Sequence, residues 1–199
     1  MRSGVIAFGA VAGLGAANGG FFPDSWGPAI VLLAWAAAMA VFLSRPPTFP
    51  RRGLAFLALA CAVAGWTALT AVWSSSVTST ALETERALVI VAGVLALLLD
   101  RDRTWTLRGV VGAVALLSVW NLVARGGAYT GDEAVPVGYA NALGSLTAIA
   151  VPLALRERVT WPALAVLLPV LAASGSRGSY AALALGLLVG VVRRPALVV

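Results

Sequence analysis

The stretch ASGSRGSY at residues 173–180 sets one arginine among glycines and serines, between two strongly apolar runs. A guanidinium presents a planar fork of donors that grips a phosphate bidentately. If a helix starts here, its first amides and positive dipole end lie beside Arg177. Ser176 or Ser179 can cap that start, and Gly175 and Gly178 allow close backbone approach. The combination suits a phosphate or pyrophosphate. The plainer reading is that Arg177 snorkels from a tight turn toward lipid head groups.

A second candidate is GYANALG at 138–144. Asn141 falls in the first turn of a helix, where its amide can donate to a sugar hydroxyl, hold an entering loop, or serve as a local cap. Arg125 is either a second anion contact or an interfacial anchor. Asp132 and Glu133 act as a base, select substrate, or are simply solvated. The chain contains no histidine, which removes imidazole acid/base chemistry and most zinc sites, and no metal or cofactor is expected. Its single cysteine, Cys61, leaves no disulfide framework.

The elements that must position these residues are membrane helices. Of 199 residues, 60% are hydrophobic and 11% charged, with a mean hydropathy of +0.94, far from the balance of soluble domains. Apolar runs of roughly 15–20 residues match the length needed to cross about 30 Å of hydrocarbon as helices. They predict an all-α, polytopic transmembrane bundle of about eight spans in one domain, 1–199: residues 4–17, 26–43, 53–72, 84–99, 106–123, 139–155, 161–173 and 178–192. The first run also has the look of a signal peptide.

The net charge of +6 does not point to nucleic acid, because the arginines sit at the ends of apolar runs. Alternate connections hold eleven of the 14 basic residues (Arg2, Arg45, Arg51, Arg52, Arg101, Arg103, Arg108, Arg156, Arg158, Arg193 and Arg194), against Arg86, Arg125 and Arg177 in the others. The positive-inside rule then puts both termini in the cytoplasm and residues 174–177 outside. Spans of 13 and 15 residues reach only about 20 and 22 Å, so this turn is expected to dip below the outer surface. A capping box, Thr80 to Glu83, is expected to open the fourth helix, and Pro152, Pro162 and Pro169 to kink theirs. Trp26, Trp73 and Tyr139 are expected at the outer interface.

On these residues the chain resembles the O-antigen ligase and polymerase family. SGSRGSYAALALGLLVG is similar to that family's arginine turn at the outer face, GYANALGSLTAIAVPLAL to its Asn-containing helix start, and WSSSVTSTALETERALVIVAGVL to the preceding segment; the likeness covers about residues 70–199. The resemblance implies a metal-independent glycosyltransferase in the bacterial plasma membrane. It would transfer or polymerise a glycan from an undecaprenyl-diphosphate carrier onto a lipid, glycan or protein acceptor. By that analogy Arg177 binds the donor diphosphate and stabilises the leaving group, with Ser176, Gly178, Ser179, Asn141 and Arg125 as further binding residues. Family members continue through a large outer loop carrying a catalytic histidine. This chain is therefore expected to be an N-terminal portion that does not turn over alone. Two other readings fit the residues: a transporter of a small anionic solute or lipid, with a broken helix at 174–178, and a membrane scaffold packed through Gly186 and Gly190.

Overall fold

A computed structural model describes residues 2–20, 23–43, 51–99, 103–124 and 137–193. These residues form eight α-helices and no strand: α1 (Arg2–Ala16), α2 (Pro23–Leu43), α3 (Arg51–Leu69), α4 (Val77–Leu99), α5 (Arg103–Ala124), α6 (Ala140–Ala154), α7 (Leu164–Ala173) and α8 (Arg177–Arg193). Each coincides with one apolar run of the sequence. Short 3-10 turns follow α1 and α3, and a longer one, Arg158–Ala163, leads into α7. Pro162 falls inside that 3-10 segment, while Pro152 and Pro169 sit inside α6 and α7.

Two of these helical segments, Arg51–Val72 and Arg103–Ala124, are long and apolar enough to cross a membrane. The apolar stretches Ser3–Ala16, Ala140–Ala154 and Arg158–Ala173 are shorter. The 3-10 turn before α7 lengthens a segment expected to be only 13 residues long. It adds about 2 Å per residue, so shortness alone does not force the following turn beneath a membrane surface.

The chain divides into two compact units, Met1–Gly19 with Asp102–Val199, and Gly20–Arg101. In the second unit α4 packs on both α2 and α3. Trp26 is buried there, at 5% exposure, so its expected place in an exposed interfacial belt is not what the structure has. Most of α3 faces outward, with Phe56, Leu59, Val63 and Trp66 between 53% and 64% exposed.

The first unit is built around α5, which contacts α1, α6 and α7, while α8 lies on α6. Buried positions on α6 recur as Ala140, Leu143, Gly144, Thr147, Ala148 and Val151, the spacing of one helical face. Val151 meets Val111 and Val114 of α5 and Leu167 of α7 in one apolar cluster, Ala140 and Leu143 meet Leu117 of α5 and Val170 of α7 in another, and Leu146 packs against both. Polar groups lie inside too: Ser118, Asn121 and Thr147 are fully buried, and Thr147 donates to the Gly144 carbonyl at 2.8 Å.

Helices α1 and α5 run parallel. A Cβ on Gly4 would meet the Trp105 carbonyl oxygen at 2.6 Å; one on Gly109 would strike the Gly4 carbonyl; and one on Gly15 would strike the end of Leu117. This pairing is glycine-dependent backbone packing of a kind used where helices must approach closely. It gives residues 2–16 a packing partner in α5.

Candidate functional site

At one end of the first unit, α7 stops and α8 starts across residues 174–176. Gly175 has φ +59°, the left-handed conformation that ends a helix at least cost for glycine, and Ser174 donates back to the Leu171 carbonyl at 2.7 Å. Ser176 is the cap of α8: its Oγ accepts from the Ser179 amide at 3.3 Å and from the Ser179 hydroxyl at 2.9 Å. The Ser176 amide in turn donates to Ser174 Oγ at 3.4 Å, and the Tyr180 hydroxyl ties the turn to the Ala172 carbonyl at 2.8 Å.

This turn rests on α6. A Cβ at Gly144 would lie 2.6 Å from Ser174 Oγ and 2.9 Å from Ser179 Oγ, so only a glycine admits the serines so closely. The next residue, Ser145, places its Oγ 3.4 Å from Ser179 Oγ and donates to the Asn141 carbonyl at 2.8 Å. The two segments singled out in the sequence are thus in contact, through Gly144 and Ser145. Asn141 itself stands a helical turn away, exposed, its amide donating to the Tyr139 hydroxyl at 2.7 Å. It caps nothing, because Tyr139 holds the N-cap position with no side-chain cap bond. Arg125, Asp132 and Glu133 lie outside the described residues.

Arg177 is the first residue of α8 and is exposed, and its guanidinium has neither hydrogen bond nor ion pair among the described residues. The amides of Arg177 and Gly178, the first two of the helix, have no acceptor within the helix. Gly178 is also exposed, with open space where a Cβ would project, and so is Gly175. Neither glycine is there to let protein backbone pack closely; Gly175 answers a conformational need and Gly178 none that the fold imposes. What the turn can do chemically is receive an anion, with an exposed guanidinium and the two amides of the helix start, while the buried Ser176 hydroxyl serves as the cap.

The same cap occurs at α4. Ser74, Ser76 and Ser79 repeat the spacing of Ser174, Ser176 and Ser179, with the Ser79 amide on Ser76 Oγ at 3.4 Å, the two hydroxyls 2.9 Å apart and the Ser76 amide on Ser74 Oγ at 3.1 Å. Helix α4 therefore begins at Val77, a turn before the expected capping box, and Thr80 is a buried residue of its first turn, donating to Ser74 Oγ at 2.8 Å. Three serines at this spacing are a helix-starting device. What distinguishes the second copy is Arg177 in place of Val77, and the glycine seat on α6.

No three histidine, cysteine, aspartate or glutamate side chains come together among the described residues in a way that could hold a metal. No protein-family model matches the chain, and no curated protein and no solved structure is significantly similar to it.

Proposed function

We propose that this chain is a membrane-embedded, O-antigen ligase-like glycosyltransferase of the bacterial plasma membrane. In it eight helices cross the bilayer with both termini in the cytoplasm, and the α7–α8 turn holds the diphosphate of an undecaprenyl-linked glycan at the outer face. The observation that carries this reading is the seating of residues 174–179 on Gly144 and Ser145, which joins the two segments bearing the family's pattern. Arg177 and the first amides of α8 lie together at this exposed helix start, where they would stabilise charge on the departing diphosphate as the acceptor displaces it from the glycan.

Membrane residence is supported by the apolar exterior of α3, an exposed patch of the kind that marks a membrane or protein contact, and by the segregation of arginines in the first unit. Arg103, Arg108, Arg156 and Arg158 share one end of that unit, while Arg177 stands at the other.

Arg177→Ala is expected to lower surface-glycan transfer about 10²–10³-fold, the usual cost of removing one preorganised charge donor. Arg177→Lys should recover only part, since an ammonium lacks the fork. Topology is tested with Gly178→Cys in a Cys61→Ala background: a membrane-impermeant maleimide should label it from outside in intact cells. Labelling only after the inner membrane is opened would remove the reading, and so would undiminished glycan assembly in the Arg177→Ala strain.

A further inference from the structure

The end of the first unit opposite the serine turn carries a cluster that the proposed transfer does not use. The start of α5 and the α6–α7 connection are clamped there by Arg108, whose Nε donates to Glu157 Oε2 at 2.7 Å and whose guanidinium lies 4.9 Å from the Trp105 ring centroid. Thr160 closes the connection by bonding the Ala154 and Glu157 carbonyls, both at 2.8 Å. The one acid described at this end is thus committed to Arg108. Arg103, Arg156 and Arg158 are all exposed and have no ion-pair partner among the described residues. Beside them Trp105 (38%), Trp161 (51%) and Val159 (70%) are exposed apolar groups. Helix α8, parallel to α6 through the contact of Gly186 with Pro152, ends at Arg193 on the same side.

We propose that this end binds the headgroups of anionic phospholipids, with Arg103, Arg156 and Arg158 on the phosphates and Trp105 and Trp161 set at the boundary between headgroup and acyl chain. Exposed cations without an ion-pair partner among the described residues, next to two exposed indoles, are complementary to a negatively charged lipid surface, and an aromatic ring is most stable at that depth. A soluble anion would use the arginines but leave the indoles and Val159 wet. The inference rests on membrane residence and is independent of glycosyl transfer.

The test is lipid retention by the purified full chain in mild detergent, read by native mass spectrometry after mixing with equal amounts of phosphatidylglycerol and phosphatidylcholine. Phosphatidylglycerol should be retained in preference. Arg156→Gln should weaken that preference about fivefold, the equivalent of ~1 kcal/mol for one basic residue near an anionic surface, and Arg103→Gln/Arg156→Gln/Arg158→Gln should abolish it. Arg86→Gln, which removes a charge from the other unit, should leave it intact. The thermal midpoint of the triple variant in phosphatidylcholine should equal that of the parent, since none of the three side chains is paired among the described residues, and this shows the variant to be folded. Equal retention of the two lipids by the parent, an undiminished preference in the triple variant, or competition by inorganic phosphate as effective as by the lipid would each overturn the proposal.

Discussion

Gly144→Ala is the sharpest probe of the site, because it perturbs the turn without replacing any of the turn's own residues. The added methyl would lie 2.6 Å from Ser174 Oγ, 2.9 Å from Ser179 Oγ and 3.0 Å from Ser174 Cβ, all well inside contact distance. Overpacking of this kind costs about 1–3 kcal/mol. Displacing the serines also strains the bonds from Ser174 to Leu171 and between Ser179 and Ser176, at about 1 kcal/mol for each one lost. Against this, alanine is favoured over glycine inside a helix by about 1 kcal/mol. The net expectation is a loss of about 1–3 kcal/mol in denaturant titration of the detergent-solubilised protein, with glycan transfer falling together with the turn. Ser174→Gly removes the nearest clashing atom, Ser174 Oγ, together with Ser174 Cβ, so the double variant Gly144→Ala/Ser174→Gly should recover part of the loss, with a coupling energy of at least about 0.5 kcal/mol. A Gly144→Ala protein as stable as the parent, or strictly additive single and double variants, would refute the close seating of the turn on α6.

Gly178→Ala meets nothing within 4 Å and should change stability by less than about 0.5 kcal/mol, so that any loss of transfer measured in that variant belongs to the ligand and not to the fold. Ser176→Ala and Ser76→Ala each remove a helix cap and should cost about 1 kcal/mol apiece in the same titration, but only the first should reduce transfer. Gly109→Ala drives a methyl into the Gly4 backbone, which cannot swing aside as a side chain can. Its cost should exceed about 2 kcal/mol, read as a lowered thermal midpoint, and α1 should become accessible to protease. Glu157→Gln leaves Arg108 without its charged partner in a half-buried setting and should lower stability by about 1–2 kcal/mol, with little dependence on salt.

The placement of helices was legible because hydropathy is a property of runs: all eight α-helices fall on the apolar segments, with ends shifted by a few residues. The largest shift, at α4, has a clear cause. Thr80 and Glu83 stand at capping-box spacing, but Ser74, Ser76 and Ser79 offered a cap one turn earlier, and a helix begins at the first site that satisfies its amides. At the site, Arg177 and Ser176 stand out by type, because a charge and a cap are local facts. Gly144, Ser145 and Ser174 do not: their importance lies in what faces them across 30 residues of chain, and a glycine in an Ala-rich helix carries no mark of the neighbour it admits. The repeated serine spacing was the available signal, since two turns with one hydrogen-bond pattern separate what starts a helix from what is particular to Arg177. Trp26 was misplaced for a related reason. An indole near a run's end reads as an interfacial anchor until packing with other helices is known.

The parallel contact of α1 with α5 also constrains how the nascent chain can assemble. The first helix meets its partner only when residues about a hundred positions later have been synthesised, and everything between, Gly20–Arg101, closes into a unit of its own. The middle of the chain can therefore complete its packing while the opening helix still waits, its glycine face uncovered, for α5 to emerge. That interval is when α1 is open to wrong partners or to proteolysis.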